Sequence, residues 1–228
     1  MNIAQLLKDI HPTEFDIEIN GLCLNTNNAQ PGDVFVALQG QSSHGIDYVD
    51  QAINKGCVAV LVDSKEVECA IPTICIDNLT AHLPALAARF YPHATNVEVI
   101  SITGTNGKTS VASFISQLLN MLKVKNGLIG TLGIEQSQQQ SSNTTPDILT
   151  LYRTLENYHQ NDIKVAVLEA SSHGIDQNRM AGLNIIQAVF TNLTQDHLDY
   201  HNSLEAYQAV KQKLFSYDSV NSVILNAD

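Results

Sequence analysis

The chain has 228 residues, 44% hydrophobic and 15% charged, with a formal net charge of −11. That balance fits one large or two small folded domains and excludes a disordered chain. It also argues against DNA or RNA as the main partner, because neutralising a phosphate backbone takes a basic surface; a single nucleotide needs only one lysine and a divalent cation.

The N-terminal MNIAQLLKDI lacks the basic region, long apolar core and cleavage site of a signal peptide. No apolar run is long enough to span a bilayer, so no membrane partner and a cytoplasmic location are expected. Residues 1–20 predict a short helix and a connector. Leu22, Cys23 and Leu24 predict a strand, Asn25 to Gly32 a turn, and Val34 to Leu38 a buried strand ending at Gly40. The polar loop GQSSHG follows. Residues 46–55 carry a helical pattern closed by Gly56. Val58 to Val62 and Thr73 to Ile76 predict two more strands. The first 88 residues thus read as a small α/β module. Four cysteines (Cys23, Cys57, Cys69, Cys75) form no C-x-x-C pair and lie mostly in apolar strand-like contexts, which predicts buried thiols rather than disulfides or zinc ligands.

Residues 79–91 predict a linking helix stopped by Pro92, and a second module spans 89–228. Its strands are expected at 97–103, 128–129, 164–169, 187–191 and 222–226, with helices near 109–122, 147–160 and 203–216. The first strand runs into Thr103-Gly104-Thr105-Asn106-Gly107-Lys108-Thr109-Ser110. Strand, glycine loop, lysine, hydroxyl and helix is a layout that binds nucleotide triphosphates. Gly104 and Gly107 let backbone N–H groups close on phosphate oxygens. The helix start offers its positive dipole end. Lys108 supplies a point charge, and Thr109 or Ser110 a hydroxyl for Mg²⁺. The loop is shorter than G-x-x-x-x-G-K-[ST], with Ile102 at the first glycine position. Val111, Phe114, Ile115, Leu118 and Leu122 are expected on the buried face of its helix.

Two further strand ends carry chemistry. Glu169 closes KVAVLE, and in a parallel sheet ligands sit at carboxyl ends; the choice is between a Mg²⁺ ligand and a solvated carboxylate. Asp196-His197-Leu198-Asp199-Tyr200-His201 follows QAVFTNL, with more histidines and carboxylates than a turn needs. In the next helix, read with Asn202 and Glu205 as a capping box, the stripe Leu204, Tyr207, Lys211, Leu214 puts a lysine on the apolar face. The segment 135–143 is polar and low in complexity, which predicts a loop. The chain stops in a strand, so the sheet reads as incomplete and the chain as part of a longer protein, inactive alone.

TGTNGKTS (103–110), NTTP (143–146), EASSHGIDQNR (169–179), TNLTQDHLDYH (191–201) and YQAVKQKLF (207–215) resemble the Mur ligases, specifically the type that adds the third amino acid of the peptidoglycan stem. PGDVFVALQG (31–40) is similar to that family's UDP-binding domain. The resemblance implies an N-terminal UDP-sugar-binding domain (1–88) and an incomplete central ATP-binding domain (89–228). It implies an ATP-dependent amide-bond ligase acting on UDP-MurNAc-L-Ala-D-Glu through an acyl phosphate, with meso-diaminopimelate placed ahead of L-lysine. It implies ATP contacts from Gly104, Thr105, Asn106, Gly107, Lys108, Thr109 and Ser110. It implies Mg²⁺ held by Thr109, Glu169, His197 and a carbamylated Lys211. It implies substrate contacts from Asn143, Thr144, Thr145, Ser171, Gln177 and Arg179, and uridine-diphosphate contacts from Leu24, Thr26, Gln41, Ser42 and Ser43. Asn25-Thr26-Asn27 departs from the family's usual Asp-Ser-Arg. A monomer acting on small molecules is expected. The alternatives are a non-catalytic nucleotide- or UDP-sugar-binding module and a folylpolyglutamate synthase-like ligase.

Overall fold

The computed structural model describes residues 1–40, 43–63, 68–135 and 143–227. The chain divides into two compact units, Met1–Pro92 and His93–Asp228.

The first unit opens with α1 (Ile3–Leu6), capped by Asn2 and Gln5 in a reciprocal capping box. Four strands follow, β1 (Gly21–Cys23), β2 (Asp33–Ala37), β3 (Ala59–Val62) and β4 (Thr73–Cys75), all parallel and in the order β1-β2-β3-β4. β2 and β3 are buried throughout, which is why they read as unbroken apolar runs rather than as alternation. α2 (Val49–Asn54) follows a 3-10 turn, and Gly56 after it takes φ +90°, the left-handed geometry of a helix-ending glycine. α3 (Leu79–Phe90) completes the unit. Cys23 and Cys57 are buried with sulfurs 4.0 Å apart, while Cys69 and Cys75 are only half-buried; all four are reduced thiols.

The second unit runs β5 (Glu98–Thr103), α4 (Lys108–Met121), β6 (Asn126–Gly130), β7 (Gly133–Ile134), α5 (Ile148–Gln160), β8 (Val165–Glu169), α6 (Ser172–Asp176), β9 (Ile185–Phe190), α7 (Leu198–His201), α8 (Leu204–Gln212) and β10 (Ser222–Leu225). The sheet order is β10-β9-β5-β8-β6-β7, parallel except for β7. β5 lies between β8 and β9, so the chain leaves β5 toward one side of the sheet and β9 toward the other. That reversal opens a crevice beyond their carboxyl ends, where such sheets bind ligands. β7, α6 and α7 are two, five and four residues long, too short to show a period in the sequence. Among the described residues no helix is long and apolar enough to cross a membrane.

Two expectations about helix faces need correction. On α4, Phe114, Leu118 and Leu122 are 61%, 58% and 74% exposed. The face on the sheet is instead Val111, Ala112, Ile115 and Leu119, with buried Ser116 donating to Asn126 Oδ1 at 2.7 Å. The glycine loop fixes where α4 starts and hence its rotation. Small Ala112 and Ser116 then let its axis approach the strands, and the larger apolar stripe turns outward. On α8, Ser203 and not Asn202 is the N-cap, accepting from Ala206 N–H at 3.1 Å; Asn202 sits one residue earlier at φ +64°. Leu204 is consequently 39% exposed, and the inward residues are Tyr207, Val210, Lys211 and Leu214.

Candidate functional site

The glycine loop leaves β5 at Gly104, whose φ is +146°. A Cβ there would lie 1.9 Å from Thr191 Oγ1, so only glycine lets the loop pass the end of β9. Gly107 is different: φ is +81°, but a Cβ would meet nothing within 4 Å. It is needed for its backbone geometry alone, at the first step into α4. The segment after β9 braces the loop. Thr105 N–H donates to Asn192 O at 2.9 Å, Asn106 N–H to Asn192 Oδ1 at 3.0 Å, and Thr105 Oγ1 to Thr194 O at 3.1 Å. Asn106 O accepts from Thr191 Oγ1 at 2.6 Å. Gly104, Thr105, Asn106, Gly107, Lys108, Thr109 and Ser110 therefore lie together at the predicted sheet edge, with Asn106 and Ser110 exposed.

Glu169 is 1% exposed, so it is not the solvated carboxylate of the alternative sequence reading. Oε2 accepts from Thr109 Oγ1 at 2.8 Å and from Thr131 Oγ1 at 3.1 Å, while Oε1 accepts from Thr131 N–H at 3.0 Å. These donors offset the cost of burying the charge. They occupy three of about four lone-pair directions and leave one open. The 2.8 Å between Thr109 Oγ1 and Glu169 Oε2 suits Mg²⁺, because adjacent ligands of an octahedron with bonds of about 2.1 Å lie about 3.0 Å apart. Among the described residues no three His, Cys, Asp or Glu side chains converge to hold a metal unaided. A hydroxyl, one carboxylate and bound phosphate are the kind of set Mg²⁺ accepts.

Lys108 and Lys211 meet at one carbonyl. Lys108 Nζ donates to Gly104 O at 3.0 Å and Thr105 O at 2.8 Å; Lys211 Nζ donates to Gly104 O at 2.9 Å. Lys211 is 2% exposed and lies 4.3 Å over the Tyr207 ring. Burial first, and the neighbouring Lys108 charge second, lower its pKa from 10.5 to about 7, against a smaller opposing pull from Asp196. Burial also lowers Lys108, with Glu169 and Asp196 opposing. The lysine on the apolar stripe is thus an amine close to neutrality, beside the glycine loop.

His197 lies in the segment after β9 at φ +52°, half-exposed, its N–H on Asp196 Oδ1 at 2.8 Å. Its ring packs edge-on against His173 at 5.3 Å and stands 6.1 Å from that of Tyr207. Burial, then the His197 charge, lower the pKa of His173; burial likewise leads the lowering of His201.

The segment 143–146 meets the end of β8. Thr145 Oγ1 donates to Glu169 O at 2.8 Å and accepts from Ser171 N–H at 2.8 Å. Thr144 Oγ1 is 3.1 Å from Thr131 Oγ1. Arg179 donates to Thr145 O and, through Nη2, to Gln177 Oε1 at 2.7 Å. Thr144, Thr145, Ser171, Gln177 and Arg179 thus gather around the carboxyl end of β8, and Asn143 precedes them directly in the chain. In the first unit Leu24 follows β1 directly, but Thr26 is buried with its hydroxyl on Gln51 Oε1 at 2.8 Å. Ser43 Oγ meets Tyr48 OH at 3.2 Å. Gln41, Ser42 and the predicted loop at 136–142 lie outside the described residues. The sequence pattern gave no site role to Thr131, Asn192 or Thr194, and it read Tyr207 only as a member of the apolar stripe.

Two family models match, "Mur ligase family, catalytic domain" over residues 18–101 and "Mur ligase middle domain" over 102–228. The chain is 38% identical over 234 residues to a UDP-N-acetylmuramoyl-L-alanyl-D-glutamate--2,6-diaminopimelate ligase of Xylella fastidiosa, and 39% identical over 235 to that of Pseudomonas aeruginosa. All of this chain is aligned with 47% and 48% of theirs, so it spans about half the length of the curated relatives it matches. A solved structure of a ligase of that same name aligns with TM-score 0.75 at 28% identity, over the whole of this chain and 48% of that one. A structure of MurF from Acinetobacter baumannii shares the fold, with TM-score 0.69 at 17% identity over the whole of this chain and 49% of that one. With both family models matched end to end over residues 18–228, the chain belongs to the Mur ligase family.

Proposed function

We propose that the protein to which this chain belongs is an ATP-dependent ligase that extends UDP-MurNAc-L-Ala-D-Glu by one amino acid, meso-diaminopimelate, and that this chain supplies its UDP-sugar and phosphate-binding parts. The observation that carries the reading is the meeting of Thr109, Glu169, Lys108 and Lys211 at one sheet edge. Substrate identity is supported by the names of the relatives, ATP by the glycine loop with Lys108 and Thr109 between strand and helix, and the catalytic roles by the geometry.

The reaction needs the D-glutamyl carboxylate to attack the γ-phosphorus of ATP, expelling ADP and leaving an acyl phosphate. The incoming amine then adds to the acyl carbon, and collapse of the tetrahedral adduct expels phosphate. Little covalent chemistry falls to the protein; it positions the groups and neutralises charge. Loop N–H groups and the α4 N-terminus cradle the phosphates. Lys108 exchanges its two loop carbonyls for a phosphate oxygen. Thr109 and Glu169 would hold Mg²⁺, which when bound neutralises phosphate charge, and His197 would assist at a second ion. Lys211, as a carbamate, would present an oxygen ligand from a buried position where an ammonium is costly; its amine near neutrality suits reaction with CO₂. Arg179, Gln177 and Thr145 orient the peptidyl part of the substrate. The N-terminal unit takes the uridine diphosphate through the segments near Leu24 and Ser43, with Thr26 reaching it only by releasing Gln51.

The test is phosphate release by the full-length protein with ATP, Mg²⁺ and UDP-MurNAc-L-Ala-D-Glu. Release that depends on meso-diaminopimelate and vanishes in Lys108→Ala supports the reading. Equal release with other amino acids, or without the UDP-sugar, contradicts it.

A further inference from the structure

Thr131 joins two parts of the site that otherwise have separate jobs. Its N–H donates to Glu169 Oε1 at 3.0 Å, and its hydroxyl lies 3.1 Å from both Glu169 Oε2 and Thr144 Oγ1. A hydroxyl has one proton, and an ionised carboxylate only accepts. The Thr131 hydroxyl is placed to donate to Glu169 Oε2 or to Thr144 Oγ1, and with one proton it serves one of them at a time. A ligand group that takes over Thr144 Oγ1 frees the Thr131 proton for Glu169. Thr144 belongs to the segment proposed to grip the peptidyl substrate, and Glu169 is the carboxylate proposed to hold Mg²⁺.

The position is built for this contact. Gly130 closes β6, and a Cβ on it would stand 2.1 Å from Glu169 Oε1. Absence of a side chain at 130 therefore makes the room that the carboxylate occupies. The antiparallel turn into β7 then brings the Thr131 N–H round to that oxygen. Thr145, next to Thr144, is separately tied to the main chain at Glu169 O. The 143–145 segment thus connects to Glu169 at two points, and of these only the Thr131 path reaches its carboxylate.

We infer that Thr131 is a positioning residue that couples occupation of the peptidyl-substrate segment to the orientation of the metal-binding carboxylate of Glu169. The inference rests on the function proposed above. It requires each of the two ligands to raise the affinity for the other by the same factor, since coupling is reciprocal. A hydrogen bond to a charged group sets that factor at about tenfold.

The experiment is calorimetry on the full-length protein. UDP-MurNAc-L-Ala-D-Glu is titrated with and without Mg²⁺ and a non-hydrolysable ATP analogue, in wild type, Thr131→Val and Thr131→Ser. Valine keeps the backbone N–H and the branched shape and removes only the hydroxyl. The expected result is an affinity ratio of about ten in wild type, a ratio within about twofold of unity in Thr131→Val, and recovery in Thr131→Ser. A purely structural role would weaken both titrations together and leave the ratio unchanged. A wild-type ratio of unity, or an undiminished ratio in Thr131→Val, overturns the inference alone. A wild-type protein that binds neither ligand overturns the proposed function and the coupling with it.

Discussion

Replacing Lys211 by methionine tests the electrostatics of the site without any substrate. Lys211 is 2% exposed, and its pKa falls from 10.5 to about 7, chiefly through burial. Between those values the unfolded chain holds a proton that the folded chain has released, so stability rises with pH across that window. Below about pH 7 the buried ammonium exacts its full cost. At about 1.36 kcal/mol per pH unit, that cost is on the order of 5 kcal/mol. Set against it are the contact with the Tyr207 ring and the hydrogen bond to Gly104 O, together worth about 2–4 kcal/mol. Methionine fills similar volume with no charge. In CO₂-free buffer, urea unfolding followed on the second unit should show the wild type gaining about 2 kcal/mol relative to Lys211→Met between pH 7 and 9. Taking the difference cancels His173, on which Lys211 does not act, and leaves Lys211 together with the groups it is coupled to, Lys108 and His201. Parallel pH profiles for the two proteins would refute the reasoning, because Lys211 would then be an ordinary solvated lysine.

Gly104→Ala and Gly107→Ala should differ in kind: the first, facing Thr191 Oγ1 at 1.9 Å, should lower the melting temperature and abolish nucleotide binding. The second, with open space but φ +81°, should cost about 1 kcal/mol of stability and still weaken nucleotide binding at least tenfold, both read by thermal shift and calorimetry. Glu169→Gln should keep the fold yet reduce Mg²⁺-dependent nucleotide affinity by about a hundredfold, with Mg²⁺-free affinity little changed; equal losses in both would contradict its metal role. Ser203→Ala should cost about 1 kcal/mol in urea unfolding and Asn202→Gly almost nothing, as the corrected cap position requires.

The fold was largely legible because parallel strands buried on both faces appear as apolar runs, as in 34–38 and 97–103, and because glycine marks their ends. Lys211 was legible as a charged residue out of phase with its helix. Short pieces such as β7 and α6 were not, since two to five residues show no period. The face of α4 was misread for a physical reason. Its strongest apolar stripe is Phe114, Leu118 and Leu122, but the glycine loop fixes the helix rotation and small Ala112 and Ser116 decide which side approaches the sheet. Thr131 was invisible because its importance comes from where Glu169 points, a matter of three-dimensional geometry with no local pattern.

The central claim is that the site activates a substrate carboxylate as an acyl phosphate. The most direct measurement uses UDP-MurNAc-L-Ala-D-Glu with ¹⁸O in the D-glutamyl side-chain carboxylate, turned over by the full-length protein with ATP, Mg²⁺ and meso-diaminopimelate. The carboxylate oxygen that attacks phosphorus leaves with it when the amine displaces phosphate. One ¹⁸O per inorganic phosphate released is the expected result, and phosphate without the label would contradict the account.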